Sequence, residues 1–321
     1  MFHDGAGRSS VRKLLNTICP AGFMRHDERR LLYLVSEDWY FVGHRIDLAR
    51  AAREAGYTVA VATRVGIHRD AILDAGIQLL PLDLKRSGKN PITETVSIWQ
   101  IARAYIEFKP HIVHHVALKP ILYGALAARV TRVPAVVNAL TGLGYAFSSV
   151  DAAASLIRPV LECGYSFALR GSHVILQNTG DLALLTSRGI VVPEQCSVVP
   201  GAGCRLNEFT PTPEPIDEAL VVLPARMLRD KGVVEFVAAA RILKSEGIPA
   251  RFALVGIPDP ENPASIDETQ LRAWTTDGTI EWWGWRNDMA AVYASAHIVC
   301  LPSYREGLPK SLIEAAACGR P

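Results

Sequence analysis

The stretch from Leu31 to Ala62, LLYLVSEDWYFVGHRIDLARAAREAGYTVAVA, decides the fold class. Leu31–Val35 is an apolar run of strand length, and Thr58–Ala62 is another. Between them, Gly43–Ala55 places apolar residues at helical spacing and ends before Gly56. A strand, a helix and a second strand in this order predict a β-α-β unit with parallel strands.

The same alternation continues along the chain and predicts an α/β protein of two domains. Further strands are predicted at His111–Val116, Pro134–Asn138 and His173–Gln177, with helices at Thr93–Phe108, Ile121–Val130, Ala153–Leu169 and Gly180–Arg188. A second series has strands at Ala219–Leu223, Arg251–Val255, Thr279–Trp282 and His297–Leu301, and helices at Asp230–Ser245, Asp267–Trp274, Asn287–Ala294 and Pro309–Ala317.

Three alternate prolines between Thr210 and Pro215 disfavour helix and indicate a connector between the two series. We therefore predict a disordered extension at 1–29, a first domain at 30–209, a linker at 210–218 and a second domain at 219–321.

Composition and charge exclude several classes of protein. The chain has 321 residues, 49% of them hydrophobic and 21% charged, which is typical of a folded globular protein. A net charge of +2 gives no indication of nucleic-acid binding. The six cysteines include no C-x-x-C pair, so they indicate neither a zinc ribbon nor a redox motif, and they favour a cytoplasmic protein. No charge-free apolar run reaches the length of a membrane span.

Two glutamates separated by seven residues are the strongest local signal for chemistry. Glu306 falls in the loop after a predicted strand, and Glu314 falls on the helix that follows. The N-terminus of that helix offers free N–H groups and the positive end of a dipole, which suit a phosphate or sugar oxygens. Because Glu314 lies in an apolar run, we expect its carboxylate to have a polar partner. The alternative is that Glu306 only stabilises the helix dipole and that Glu314 is exposed.

Arg226 and Lys231 are a second signal, directly after the first strand of the second domain. The two cations can reach one anion from the two ends of a loop, Arg226 as a planar fork and Lys231 as a point charge. This pattern suits a diphosphate. The alternative is a solvated loop in which Asp230 caps the next helix and both cations lie in water.

With these residues in place, the second domain resembles the donor domain of family-4 retaining glycosyltransferases of GT-B architecture. Glu306 and Glu314 match the E-x7-E motif of that family, and Arg226 and Lys231 match its phosphate-binding cations. Further similar phrases are LPSY (Leu301–Tyr304), EAAACG (Glu314–Gly319), HHVALKP (His114–Pro120), TGLGY (Thr141–Tyr145) and Gln177-Asn178. The first-domain phrases are similar to those of members that build capsule, O-antigen or other glycans on polyprenyl diphosphates. The resemblance implies two Rossmann-like domains with parallel sheets facing a central cleft.

The resemblance also assigns roles on the donor side. It implies that Arg226 and Lys231 neutralise the leaving nucleotide diphosphate, that Glu314 holds ribose hydroxyls and that Glu306 binds hydroxyls of the transferred sugar. Fixed cations and a helix N-terminus can stabilise the leaving diphosphate, so the resemblance implies a UDP-sugar donor without a metal ion or another cofactor.

Three more donor-side residues follow from the same resemblance. The N–H groups of Gly307 and Leu308 complete the phosphate cradle, and Arg286 lies on the side of the base. Retention of the anomeric configuration is expected by front-face attack, so no protein nucleophile is sought.

The acceptor side is expected in the first domain. Adjacent histidines on a strand point to opposite faces, so at most one of His114 and His115 faces the cleft. The resemblance implies a first-domain histidine near the transferred sugar, and we predict His115, which is nearer the carboxyl end of the strand. The other acceptor-side candidates are Trp39, His44, Arg45, Gly142 and Gly144. For all of these the alternative is turn and packing chemistry.

The predicted function is transfer of a hexose or N-acetylhexosamine from a UDP-sugar to a lipid-linked or saccharide acceptor in surface-glycan synthesis. A polyprenyl acceptor would imply peripheral contact with the inner membrane. Two alternatives remain: a nucleotide-sugar 2-epimerase of the same architecture, and an inactive nucleotide-sugar-binding fragment. The second follows because the chain ends at Pro321, where the donor domain of the family ordinarily continues, so we expect that domain to be incomplete.

Overall fold

The computed structural model describes residues 29–84, 91–142 and 152–321, without the side chains of 91–92 and 152–157. The predicted disordered extension, apart from Arg29, and Gly144 lie outside the described residues. Contacts divide the chain into two compact units, 1–200 and 201–321. Residues 201–218, which the sequence divides between the first domain and the linker, therefore group with the second unit.

The first unit is built on a seven-stranded parallel sheet. Its strands are β1 (Arg30–Glu37), β2 (Thr58–Arg64), β3 (Gln78–Pro81), β4 (Ile112–Val116), β5 (Ala135–Leu140), β6 (His173–Leu176) and β7 (Cys196–Val198). They pair in the order β3-β2-β1-β4-β5-β6-β7. The order therefore changes direction between β1 and β4, and in open parallel sheets ligands bind beyond the carboxyl ends of the strands at such a switch point.

Helices cover both faces of this sheet. They are α1 (Asp38–His44), α2 (Ile46–Glu54), α3 (Arg69–Asp74), α4 (Pro91–Phe108), α5 (Leu118–Val130), α6 (Ala152–Leu169) and α7 (Thr179–Ser187). Alternate residues of β1 enter different cores: Tyr33 packs in one and Leu34 in the other. A third core lies around α5, α6 and β6 and includes Tyr165 and Leu169.

The helix predicted at Gly43–Ala55 is two helices. The backbone of Arg45 leaves the helical region (φ −130°, ψ −15°) and separates α1 from α2. This break lets Phe41 and Ile46 both enter the same core. The residues from Asp38 to Val42, which the sequence pattern assigns to neither the strand nor the helix, form helix α1 together with Gly43 and His44.

The second unit contains a smaller sheet of the same type. Its strands are β8 (Ala219–Pro224), β9 (Ala250–Val255), β10 (Glu281–Gly284) and β11 (Ile298–Val299), and its helices are α8 (Val233–Ser245), α9 (Glu268–Thr276), α10 (Met289–Ser295) and α11 (Lys310–Ala317). The strands are parallel in the order β10-β9-β8-β11. The switch point lies between β8 and β11, so the loops after these two strands form the expected ligand edge.

The proline-rich segment before β8 is tied to the second unit by Arg320. This side chain is buried and donates hydrogen bonds to the carbonyl oxygens of Thr212 (3.0 Å), Pro213 (2.8 Å), Tyr293 (3.1 Å) and Ala294 (3.0 Å). Thr212 Oγ1 accepts a further bond at 2.7 Å. One guanidinium thus joins the segment to the end of α10.

In the part of the chain that the structure describes, no helix combines the length and the apolar character needed to cross a bilayer. Helix α6 buries Tyr165 and Leu169 in the third core, whereas Val160 and Phe167 are exposed.

Candidate functional site

The loops after β8 and β11 are locked together at the ligand edge of the second sheet. Ser303 Oγ and the Tyr304 amide donate to the Asp230 carbonyl at 3.0 and 3.1 Å. Gly232 adopts φ +72°, and a Cβ at this position would lie 2.2 Å from the Pro302 carbonyl oxygen. Only glycine allows this approach, so the local sequence fixes where Lys231 lies.

Lys231 and Glu306 form an ion pair between these two loops. The exposed fraction of each side chain is 23%, so the pair is partly shielded but still reachable by a ligand. Lys231 follows β8 and Glu306 follows β11, which places both residues at the switch point. The structure therefore brings together Lys231, which is predicted to bind a diphosphate, and Glu306, which is predicted to bind the transferred sugar.

Glu314 lies one turn inside α11 and is buried, with 7% of its surface exposed. Its Oε2 accepts a hydrogen bond from the Tyr293 hydroxyl at 3.1 Å, and its Oε1 lies 3.2 Å from Lys310 Nζ. The expectation of a polar partner is confirmed. The alternative of an exposed mid-helix glutamate is wrong. Next to this carboxylate, burial and the Glu314 charge raise the pKa of the Cys204 thiol, which the Lys310 charge opposes.

Arg226 lies in the loop after β8 and pairs with Asp259, with Nη1 at 2.6 Å from Oδ2. Asp259 is mostly buried, whereas 41% of the Arg226 side chain is exposed. Both Arg226 and Lys231 have carboxylate partners, so neither cation is surrounded by water alone. Asp230 does not cap α8 with its side chain, since the residue before that helix is Gly232.

The remaining donor-side predictions lie on neighbouring segments of the same unit. Gly307 and Leu308 precede α11, whose N-cap residue is Pro309, and a Cβ on Gly201 would lie 3.1 Å from the Leu308 side chain. Arg286 is held at the surface by a bidentate pair with Asp288 (2.7 and 2.5 Å) and lies over the Trp283 ring. The bond to Asp288 raises the pKa of Arg286 and lowers that of Asp288. The roles assigned to these residues stay predictions.

His115 is completely buried in the first unit, and the prediction that it faces a cleft is wrong. Its Nε2 lies 2.9 Å from the Tyr105 hydroxyl, and its Nδ1 lies 2.8 Å from Asn138 Oδ1. Asn138 in turn donates to Ser172 Oγ at 2.7 Å. Burial lowers the pKa of His115 to about 4, against the opposing bond to Asn138. Both ring nitrogens are therefore used inside the core, which leaves His115 a structural role.

His114 lies on the opposite face of β4 and differs from its neighbour in one respect. It is also buried, but its Nε2 has no hydrogen-bond partner in the part of the chain that the structure describes. Its ring lies 5.1 Å from that of Tyr33, and after burial the Arg45 charge is the main cause that lowers the pKa of His114. Arg45, predicted on the acceptor side, is buried at the junction of α1 and α2.

The other described acceptor-side candidates lie on two different segments of the first unit. Trp39 and His44 lie on α1, where His44 stacks on Tyr40 with ring centroids 4.4 Å apart. Gly142 follows β5 with φ +147°.

One cluster at the ligand edge of the first sheet was not predicted. Lys119 lies in the first turn of α5, 3.0 and 2.8 Å from the two carboxylate oxygens of Glu94 on α4. The Tyr123 hydroxyl donates to the same carboxylate. Ala117, just before α5, has φ +77°, which is unusual for a residue with a Cβ. Glu94 carried no signal by itself, and the only hint was that Lys119 falls within the phrase HHVALKP.

Comparison with known proteins supports the same assignment on both units. Residues 30–179 match the family model described as "Glycosyl transferase 4-like", and residues 218–321 match "Glycosyl transferases group 1".

Two curated relatives are bacterial transferases. The N,N'-diacetylbacillosaminyl-diphospho-undecaprenol alpha-1,3-N-acetylgalactosaminyltransferase of Campylobacter jejuni is 26% identical over 86% of this chain and 75% of its own length. The UDP-Gal:alpha-D-GlcNAc-diphosphoundecaprenol alpha-1,3-galactosyltransferase of Escherichia coli is 28% identical over 66% of this chain and 57% of its own length.

Among solved structures, Anabaena HepE in complex with UDP-glucose superposes with a TM-score of 0.69 at 17% identity. The superposition covers 91% of this chain and 79% of HepE, which shows a shared fold. The Lys231–Glu306 ion pair lies at the switch point of the second sheet, and both units match glycosyltransferase models. The chain therefore belongs to the family-4 glycosyltransferases of GT-B architecture.

Proposed function

We propose that this enzyme transfers a hexose or N-acetylhexosamine from a UDP-sugar to a polyprenyl-diphosphate-linked acceptor in surface-glycan synthesis. The observation that carries the proposal is the Lys231–Glu306 ion pair, which places a cation and a carboxylate side by side at a switch point. The names of the two curated relatives, which specify diphosphoundecaprenol acceptors, support the acceptor class. The UDP-glucose complex of the HepE structure supports the donor class.

The cations of the second unit have donor groups to spare for a diphosphate. An ammonium has three N–H donors and a guanidinium has five, so Lys231 and Arg226 can keep their carboxylate partners and still bind phosphate oxygens. Positive charge fixed before the reaction stabilises the negative charge that develops on the leaving diphosphate. The N-terminus of α11 adds the positive end of its dipole.

The two carboxylates suit the hydroxyl groups of a nucleotide sugar. Each carboxylate oxygen can accept more than one hydrogen bond, so Glu314 can hold Tyr293 and Lys310 and also accept from ribose hydroxyls. Glu306, at the loop surface, would accept from hydroxyls of the transferred sugar. Lys231 would then hold this carboxylate in position as well as bind phosphate.

The proposal includes retention of the anomeric configuration and no metal ion. In a front-face reaction the acceptor hydroxyl attacks the anomeric carbon on the side from which the diphosphate leaves. The hydroxyl proton passes to a diphosphate oxygen, so no protein nucleophile is required. Lys231, Arg226 and the helix N-terminus then stabilise the negative charge on the leaving diphosphate.

Calorimetric titration with UDP tests the donor site. We expect binding by the native chain and at least tenfold weaker binding by Arg226→Ala and Lys231→Ala. Arg251→Met is the matched control, because Arg251 forms an exposed ion pair with Glu281 at 2.7 Å on the same unit. Equal loss in the control, or none in the two site variants, would contradict the donor site.

A transfer assay with a diphosphate-linked acceptor tests the reaction. Product should form only when acceptor is present, and its anomeric configuration, read by NMR, should match that of the donor. Consumption of UDP-sugar without acceptor would indicate an epimerase instead.

A polyprenyl tail would keep the acceptor in a membrane, so we also propose peripheral contact with the cytoplasmic membrane face. Sedimentation with anionic liposomes, and release by salt, is the expected result. Failure to sediment with such liposomes would contradict it.

A further inference from the structure

Arg45 is a buried cation that has no counter-ion among the described residues. Only 9% of its surface is exposed, and its Nε has no hydrogen-bond partner. Its guanidinium makes no ion pair with any residue of 29–84, 91–142 or 152–321. A buried charge is costly unless an opposite charge or several hydrogen bonds compensate it. This arrangement therefore suits a site whose anion arrives with a ligand.

The carboxylates nearest to Arg45 along the chain are engaged elsewhere. Asp47, two residues after Arg45, pairs with Arg50 at 3.5 Å, and Glu37 pairs with Arg64 at 2.9 Å. Asp38 accepts hydrogen bonds from the backbone amides of Gly66 at 2.6 Å and His68 at 3.0 Å. None of these three carboxylates forms an ion pair with Arg45.

His114 provides a second, independent sign of a missing ligand. It is 94% buried, since 6% of its surface is exposed, and its Nε2 has no partner. Burial, then the Arg45 charge and His115, keep the pKa of His114 well below its usual range. The Arg45 charge also acts on the Tyr33 hydroxyl, and within the described residues no carboxylate is among the charges that act on either group. The charge around His114 is therefore positive, and no negative charge of the described residues compensates it.

The position in the fold indicates a ligand site as well. His114 lies on β4 directly beside Tyr33 of β1, and the strand order changes direction between these two strands. Arg45 follows β1 and α1 in the chain. His114 is the middle residue of β4, so it lies on a strand that borders the switch point, and an open parallel sheet binds its ligand beyond the carboxyl ends of such strands.

We propose that Arg45 and His114 bind the diphosphate of the lipid-linked acceptor, an inference that rests on the proposed function above. The planar guanidinium of Arg45 can donate two parallel N–H bonds to phosphate oxygens. A neutral His114 with its proton on Nε2 donates a third. Arg226 and Lys231 of the second unit remain available for the donor diphosphate. The enzyme would thus recognise its acceptor by the negative charge of the diphosphate as well as by the sugar.

The test is a binding measurement on the full chain with three probes. The first is N-acetylglucosamine joined through a diphosphate to a phenoxyundecyl chain. The second is the same sugar joined directly to the same chain. The third is UDP. For Arg45→Met we expect at least tenfold weaker binding of the first probe and less than twofold change with the other two. For His114→Phe, which keeps a ring against Tyr33, we expect at least threefold weaker binding of the first probe alone.

Arg29→Met is the matched control. Arg29 is as buried as Arg45, and its Nε also lacks a partner, but it precedes β1 at the amino end of the sheet. Arg29→Met should leave all three affinities within twofold. Equal losses in Arg29→Met and Arg45→Met, or equal losses of the two sugar probes in Arg45→Met, would overturn the inference.

Two further results keep the inference separate from the proposed function and from misfolding. If Arg45→Met does not fold by circular dichroism, Arg45→Lys and His114→Phe decide, and unchanged binding of the diphosphate probe by both overturns the site. A native chain that prefers the diphosphate probe but transfers no sugar would support this site and contradict the proposed function.

Discussion

Lys231 and Glu306 lie 75 positions apart in the chain and form an ion pair where the carboxyl ends of β8 and β11 meet. The pair joins a cation expected to hold a diphosphate to a carboxylate expected to hold a sugar. Losing either side chain leaves the other without its partner and removes one contact to the donor. Both losses should destabilise the transition state, in which negative charge develops on the diphosphate.

We therefore expect Lys231→Ala and Glu306→Ala each to lower kcat/KM for transfer by more than tenfold, with the fold intact. Steady-state kinetics on purified variants, with circular dichroism alongside, is the measurement. Glu281→Gln, which alters an exposed ion pair on β10, is the control and should keep near-native rates. Near-native rates in either site variant would show that the role assigned to that residue is wrong.

Gly232 and Gly247 offer a matched test of loop locking. Both have positive φ, +72° and +76°, but a Cβ on Gly232 would meet the Pro302 carbonyl oxygen, whereas Gly247 has nothing within 4 Å. We expect Gly247→Ala to cost about 1–2 kcal/mol for the left-handed backbone alone. Gly232→Ala adds overpacking and should cost about 3 kcal/mol or more. It should also weaken UDP binding, because Lys231 is displaced. Urea unfolding and calorimetry measure both effects, and equal costs would contradict the close approach.

The Tyr293 hydroxyl should contribute to stability through Glu314. Tyr293→Phe removes the donor to a buried carboxylate and leaves Lys310 as its partner. We expect a loss of about 1–3 kcal/mol in the free energy of unfolding. Tyr57→Phe is the control, because the buried Tyr57 hydroxyl has no partner and its removal should cost little. If the two variants are equally stable in urea unfolding, the Tyr293–Glu314 bond does not stabilise the fold.

Acid should destabilise the protein through His115. Because the pKa of His115 falls from 6.5 to about 4 on folding, the unfolded chain binds its proton first as the pH drops. The stabilising contribution is complete above pH 6.5 and is lost as the pH falls toward 4, by about 3 kcal/mol. His114 acts in the same direction. Urea unfolding between pH 7 and 4.5 should show this slope, and His115→Gln should flatten it in part. An unchanged slope would contradict the assignment to His115.

Most of the fold could be predicted from the pattern of apolar runs. Central strands of the first sheet, such as β1 and β2, contain continuous apolar stretches because both faces of the sheet are covered. Strands β3 and β7 were not predicted, because they are the short edge strands of the sheet and are not fully buried, and helix α3 has only six residues. The break at Arg45 was missed for another reason: no glycine or proline marks it, and it depends on the burial of Phe41 and Ile46.

The candidate donor site could be predicted because its residues lie close together in two short stretches of the sequence. Glu306 and Glu314 lie in one loop and helix, and Arg226 and Lys231 lie in one loop. The choice between His114 and His115 could not be made this way. Strand alternation gives opposite faces but not which face is fully hydrogen-bonded, and Tyr105 and Asn138 come from other elements.

The Arg320 side chain has a consequence for local unfolding. It bonds residues 212–213 to the end of α10, and the Thr212 amide donates to the Cys318 carbonyl just after α11. Fraying of α11 must therefore release the segment before β8 as well, so the two should open as one cooperative unit. In native-state hydrogen exchange, the amide of Thr212 should exchange at the same rate as the last amides of α11, although more than a hundred residues separate them in the chain.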